Sequence, residues 1–200
     1  MENPEALYIV LKRWIGSCWL SAYELKYDER IYTEALCEFI SDYARWYPDD
    51  EKIDLLRLEM TPQLHAVLTY RLAHRWWKTD EKQALLLSNL GRVNGQCEIF
   101  YSATIGSGLK INHGLGTVIG ARCTIGDNCT IHQGVTLGDR HGKRPVIGND
   151  CFLYAHSMVL GEVTLGDRCI VAANAVVTRS APEDSILVGT PAVITQKKNL

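Results

Sequence analysis

Along the second half of the chain the aliphatic residues recur in sixes. They run Ile99, Ile105, Ile111, then Ile119, Ile125, Ile131, Leu137, then Ile147, Leu153, Val159, Leu165, Val171 and Val177. A period of six fits neither a lone helix nor a long strand; it is the repeat of a hexapeptide β-helix, in which each unit is one short strand and one corner. The fifth position of the unit is small or compact, as in Ala103, Cys123, Cys129, Val135, Cys151, Ser157, Val163, Cys169, Ala175 and Ala181. Both positions then point inward, while Gly or Asp-Asn pairs such as "GDN" at 126–128 turn the corner. Three units make one triangular coil of about 18 residues, so the stretch from Ile99 to Ala181 holds about four and a half coils.

The first half has helical spacing instead. In "TPQLHAVLTYRLAHRWW", Thr61 is an N-cap, Pro62 takes the first helical position, and Leu64, Leu68 and Leu72 fall four apart with Val67 and Arg71 offset by three. That spacing predicts one helix with one apolar stripe. "YTEALCEFISDYARWY" repeats the pattern with Leu36, Ile40 and Tyr43 and stops before Pro48. A helix from Pro4 to about Cys18 precedes it, and "DEKQALLLSNL" closes the region as a short helix. His65 and His74 lie within the third helix with no partner motif, which assigns them to packing or a solvated edge.

Glycine divides the same two parts: Gly16 is the one glycine before residue 91 and the other fifteen follow. The expected organisation is α+β: a helical N-terminal domain over 1–95, a parallel β-helix over 96–190 and a tail over 191–200. The repeat slips twice. Between Ile111 and Ile119 the interval is eight, so two extra residues enter beside His113. Between Leu137 and Ile147 it is ten, and the four additional residues push "GDRHGKRP" out as a loop.

Composition narrows the classes. A 200-residue chain at 46% hydrophobic can bury a real core, and a net charge of -2 gives no basic footprint for nucleic acid. No run of 18 apolar residues is present, and "MENPEALYIVLKRW" lacks the order of a signal peptide, so no membrane span and a cytoplasmic location are expected. Seven cysteines, an odd number without a CxxC pair, argue for reduced, mostly buried thiols.

The units "IGSGLK", "IGARCT", "IGDNCT" and "LGDRCI" resemble those of the hexapeptide-repeat acyltransferases. The resemblance implies a left-handed β-helix, an exception to the usual right-handed crossover. "EIFYSATIGSGLKINHGLGTVIG", "TIHQGVTLG", the following "DRH" and "HAVLTYRLAH" are similar to the serine acetyltransferase branch over roughly residues 60–194. That branch implies acetyl-CoA as co-substrate with no permanently bound cofactor and no metal. It also implies a small hydroxyl acceptor, L-serine or a similar amino acid. The assembly it implies is a homotrimer, or a dimer of trimers through the helical domain.

An O-acetyltransferase needs a base for the acceptor hydroxyl and donors for the oxyanion. His113 is the candidate base, since an imidazole titrates near neutral pH. Glu98, fifteen residues earlier, falls where the family places an aspartate that orients this histidine and stabilises the imidazolium. The competing reading makes Glu98 a solvated charge and His113 a loop residue. In the extruded loop, Arg140 and His141 match the family's acceptor-contacting pair, and Arg suits a carboxylate; a plain basic surface loop is the alternative, and the insertion is shorter than the family's. The resemblance further implies that acetyl-CoA lies in a groove between two β-helices, where Ala155 and Ala173 let the pantetheine arm approach the backbone. It places Gly189 to Pro191 of "VGTPAVI" at the nucleotide end. Lys197 and Lys198 read as solubility.

Asn112 stands where serine acetyltransferases carry an aspartate that helps hold the substrate's ammonium. The family's second acidic contact comes from its helical domain, where Asp49, Asp50 and Asp54 are the available acids. The neutral Asn112 keeps a second acceptor class open, the sugars of capsule and exopolysaccharide O-acetyltransferases. A non-catalytic β-helix scaffold is the reading outside enzymes. The zinc-dependent carbonic anhydrase type is disfavoured because His113, His132 and His141 lack its spacing. With Leu200 last, the terminal isoleucine used by the branch to dock a sulfhydrylase is not seen, which speaks against that complex.

Overall fold

The computed structural model describes residues 3–196. Five helices come first: α1 (Pro4–Gly16), α2 (Glu29–Ala44), α3 (Leu55–Met60), α4 (Pro62–Trp76) and α5 (Glu81–Gly95), with a 3-10 turn over Trp19–Ala22. Short polar side chains start most of them. Asn3 caps α1, Asp28 caps α2, Asp54 caps α3 and Asp80 caps α5, each accepting from backbone N–H groups that the helix cannot itself satisfy.

Thr61 precedes α4 as expected, but its side chain does not cap. Its hydroxyl lies 2.8 Å from that of Tyr47, so a tertiary contact has displaced the local one. The single apolar stripe expected of α4 is also too narrow. Every residue from Leu64 to Ala73 is buried, because α4 is the central helix, wrapped by α2, α3 and α5 on some sides and by the first coil of the β region on another. The closing helix runs longer than its apolar core suggested, to Gly95, and α3 was not legible as a separate element.

The β region winds as β1 (Glu98–Ile99), β2 (Thr104–Ile105), β3 (Lys110–Asn112), β4 (Val118–Ile119), β5 (Thr124–Ile125), β6 (Thr130–His132), β7 (Thr136–Gly138), β8 (Val146–Ile147), β9 (Phe152–Leu153), β10 (Met158–Leu160), β11 (Thr164–Leu165), β12 (Ile170–Val171) and β13 (Val176–Val177). Two longer strands, β14 (Ser185–Val188) and β15 (Val193–Gln196), end it. Every third strand pairs in parallel, which makes three faces. The first is β1-β4-β7-β10-β13, the second β2-β5-β8-β11, and the third β3-β6-β9-β12-β14 with β15 antiparallel on its end.

The repeat aliphatics fill the interior, and Cys123, Cys129, Cys151 and Cys169 are fully buried among them. All seven cysteines are free thiols. Coil lengths report the two slips: Glu98 pairs with Val118, a step of 20 residues; Thr130 pairs with Phe152, a step of 22; Phe152 pairs with Ile170 at the regular 18.

Candidate active site

The first slip lies at the end of β3. His113, Gly114 and Gly116 all take left-handed backbone conformations, with φ of 63°, 66° and 72°. The turn is pinned from three sides. The Gln63 side-chain amide, in the first turn of α4, donates to the His113 carbonyl at 2.8 Å. The Gly116 N–H donates to the Gln96 carbonyl just past α5 at 3.1 Å. Buried Thr117 donates its hydroxyl to the His132 carbonyl one coil on, at 2.8 Å. Gly114 is required here: a Cβ would meet Gln63 Cγ at 3.1 Å on a backbone that side chains rarely adopt. The outcome is an exposed imidazole on a fixed backbone.

His113 occupies the edge where the chain passes from the third face to the first. The same edge carries the β6–β7, β9–β10 and β12–β13 corners, and so His132, Ala155 and Ala173 follow His113 down it in successive coils. Gly189 continues the line: its carbonyl accepts from the Val176 N–H at 3.0 Å, and Thr190 donates to the Asn174 carbonyl at 3.1 Å, which holds the segment up to Pro191 on the last coil. The candidate base and the four candidate acetyl-CoA residues therefore share one edge.

Arg140 and His141 do not join them within one chain. They lie in the exposed loop between β7 and β8, on the edge from the first face to the second. Neighbouring cations are used locally: Arg144 donates to the Ala121 carbonyl at 2.9 Å and pairs with Asp139, and Lys143 pairs with Glu162 at 3.2 Å. Among the described residues, Arg140 and His141 have no acidic partner. Gly161, at φ +85°, makes room for the loop, since a Cβ there would meet Arg140 Cβ at 2.8 Å.

Glu98 is half-buried on β1, at the top of the first face. Its carboxylate lies 3.6 Å from Arg92 near the end of α5, and among the described residues no hydrogen bond joins it to His113. Asn112, the last residue of β3, pairs in register with His132, and its Nδ2 stands 3.3 Å from His132 Nε2. The His132 pKa is lowered, first by burial and then by the positive charge of nearby His113. His132, Gln63 and Arg92 were not singled out as site residues from the sequence. His132 could have been found by counting the first coil as 20 residues, which sets it against Asn112.

Two of the three candidate acids in the helical part serve structure. Asp50 accepts from the Tyr43 hydroxyl at 2.6 Å and from Arg57 at 2.8 Å, Asp54 caps α3, and Asp49 is exposed. Lys197, Lys198 and Leu200 lie outside the described residues. No described helix is long and apolar enough to cross a membrane. No group of three or more described His, Cys, Asp or Glu residues is set to hold a metal ion.

A three-faced solenoid of hexapeptide units, with a histidine displayed at a slip in its repeat, defines the class of architecture: a hexapeptide-repeat β-helix. The bacterial transferase hexapeptide (six repeats) family matches residues 144–179, and the hexapeptide repeat of succinyl-transferase matches 116–140. The serine acetyltransferase of Staphylococcus epidermidis is 41% identical over 140 residues, 68% of this chain and 66% of that protein. That of Staphylococcus aureus is 40% identical over 139 residues, covering 67% and 65%. The chain thus spans just under two thirds of the length of the curated relatives it matches. Among solved structures, Brucella abortus serine acetyltransferase superposes with a TM-score of 0.73 at 27% identity, over 86% of this chain and 75% of that one. Neisseria gonorrhoeae serine acetyltransferase in complex with serine gives 0.71 at 29% identity, over 83% and 73%. The chain is thus similar in sequence and in fold to the serine acetyltransferases among the hexapeptide-repeat acyltransferases, and its three-faced parallel solenoid is the architecture expected of that group.

Proposed function

We propose that this chain transfers the acetyl group of acetyl-CoA to the hydroxyl of L-serine or a closely similar amino acid. The observation that carries the reading is the position of His113: exposed, on a pinned left-handed turn, at the head of the edge that also carries Ala155, Ala173, Gly189 and Pro191. His113 takes the proton of the acceptor hydroxyl, whose oxygen attacks the thioester carbonyl. The tetrahedral oxyanion collapses, the C–S bond breaks, and the imidazolium returns its proton to the CoA thiolate. Glu98 is the carboxylate available to orient the ring, once it is released from Arg92.

Because Arg140 and His141 occupy a different edge, the reading calls for a homotrimer in which one subunit's loop faces the next subunit's His113 edge. Arg140 then receives the acceptor carboxylate through its paired N–H donors, with His141 beside it. Exposed Ile9, Trp19, Leu56 and Met60 on the helical part support a further association of trimers. Acetyl-CoA enters and leaves as co-substrate with no permanently bound cofactor, and the reduced thiols fit a cytoplasmic setting.

The experiment is thiol release from acetyl-CoA with serine, homoserine, threonine and free or nucleotide sugars as acceptors. Release that depends on serine and exceeds that on every sugar is expected. A sugar preference would transfer the same chemistry to a sugar O-acetyltransferase, the reading favoured by the neutral Asn112. No acceptor-dependent release at all would leave a β-helix scaffold.

A further inference from the structure

Asn112 and His132 face each other one coil apart, with the amide of the one against the imidazole of the other. The ring of His132 is half-buried and packed against Tyr154, with centroids 5.1 Å apart. Burial first, and nearby His113 second, lower its pKa and so favour the neutral ring. A neutral imidazole has one donor and one acceptor nitrogen. The atom facing it is the Asn112 Nδ2, a donor, at 3.3 Å from Nε2. With Nδ2 as the donor, the contact calls for the tautomer in which Nε2 accepts and Nδ1 carries the proton, and Oδ1 is the amide atom that does not face Nε2. Asn112 directly precedes His113 and touches His132, which nearby His113 also perturbs, so the amide belongs to the neighbourhood of the candidate base.

We propose that His132 is a positioning residue for the acceptor: it holds the Asn112 amide with Oδ1 outward, so that this oxygen accepts from the ammonium of an amino-acid substrate. The proposal rests on the serine acetyltransferase reading. A carboxylate at position 112 would present an oxygen whichever way it turned. An amide does so in only one of its two orientations, and the wrong one aims an N–H at the ammonium. Asparagine therefore needs a partner that fixes its orientation, and the in-register pairing of β3 with β6 supplies His132. Tyr154 holds the ring from the next coil.

The test is His132→Phe, which keeps a ring against Tyr154 and removes the acceptor nitrogen. The Michaelis constant for serine should rise about tenfold, with kcat and the constant for acetyl-CoA held within about twofold, as for the loss of one hydrogen bond to a charged group. Adding Asn112→Asp to His132→Phe should restore the serine constant, because a carboxylate needs no orienting. An unchanged serine constant in His132→Phe, or failure of the added aspartate to rescue it, overturns the proposal. A second readout is independent of turnover. A long-range proton–nitrogen correlation spectrum of the wild-type imidazoles should place the His132 proton on Nδ1, and a proton on Nε2 overturns the assignment. Absence of serine-dependent release by the wild type would instead overturn the serine reading and the ammonium role with it, while leaving the tautomer result standing.

Discussion

Arg71 and Asp42 form a bidentate ion pair with almost no access to water. Arg71 Nε and Nη2 donate to the two carboxylate oxygens, each at 2.8 Å, and the side chains are 3% and 0% exposed. The pair also joins the two halves of the chain. Arg71 on α4 donates to the Ile105 and Gly106 carbonyls at 2.8 and 2.6 Å, and Asp42 on α2 accepts from the Leu109 N–H at 2.7 Å. All three backbone groups belong to the first coil, at the corner before the one that carries His113. Removing one partner strands a buried charge and several backbone groups. Asp42→Ala should therefore cost about 3–5 kcal/mol, read as a lowered urea midpoint. A cost below about 1 kcal/mol would mean that the pair contributes little to joining the halves.

His113→Ala should lower turnover by roughly 10²- to 10⁴-fold while leaving circular dichroism unchanged, since the exposed ring carries none of the packing. The turn itself is held by the His113 carbonyl rather than its ring, through Gln63. Gln63→Ala then makes a contrasting case: the base remains but its backbone loses one anchor, so a smaller fall of about tenfold is expected. Equal rates for His113→Ala and wild type would remove the histidine from the chemistry.

Glu98 is shared between two uses. With Arg92 3.6 Å away, its carboxylate is neutralised by a neighbour that is itself 55% exposed and easily displaced. Glu98→Gln should lower kcat by about tenfold or more, short of the ~10⁴-fold seen when a buried orienting carboxylate is neutralised in a tight triad. Arg92→Gln should not lower kcat, because it frees the carboxylate; a fall with Arg92→Gln would show that the ion pair, rather than Glu98 alone, supports the site. Steady-state kinetics on the two variants decides.

Much of this was legible in the chain, and the reasons differ by residue. The strand register could be read because each inward position excludes water, which leaves a periodic trace at Ile99, Ile105 and onward. The two slips were visible as breaks in that trace, and the loop with Arg140 and His141 followed from counting. Burial of α4 on all sides was not legible: apolar spacing reports a stripe, whereas His65, Thr69 and Arg71 are buried through specific polar partners. The Thr61 to Tyr47 contact, the Glu98 to Arg92 pair and the facing of Asn112 and His132 join residues 14, 6 and 20 positions apart, and none belongs to a local motif.

His65 gives the helical part a pH dependence. Its ring stacks on Trp14 with centroids 3.9 Å apart, and Nε2 lies 3.0 Å from the Leu58 carbonyl. Burial lowers its pKa from 6.5 to about 4. The unfolded chain takes up this proton as pH falls through 6.5, whereas the folded chain resists until about 4. Stability is thus full above pH 6.5 and declines as pH falls toward 4, by about 3 kcal/mol from this group. His65→Phe keeps the stack and removes the titration. Urea midpoints measured between pH 7 and 4 should fall less steeply for the variant, by about one proton in the slope. Parallel curves would show that His65 does not carry the dependence.

Gly134 tests the edge below His113. It sits in the β6–β7 corner at φ +67°, and its missing side chain leaves room for the ring of His156 from the next coil: a Cβ there would stand 2.2 Å from Nδ1. Gly134→Ala therefore brings two penalties, a strained backbone of about 1–2 kcal/mol and displacement of the imidazole. Gly142→Ala separates them, since Gly142 has φ +79° with nothing within 4 Å of a Cβ. Both variants should lose stability through strain, and any excess in Gly134→Ala reports the clash with His156. His156 is exposed and directly follows Ala155 on the same edge. If acetyl-CoA lies along that edge, Gly134→Ala raises its Michaelis constant while the serine constant holds. A serine constant that rises instead would move the pantetheine arm off this edge.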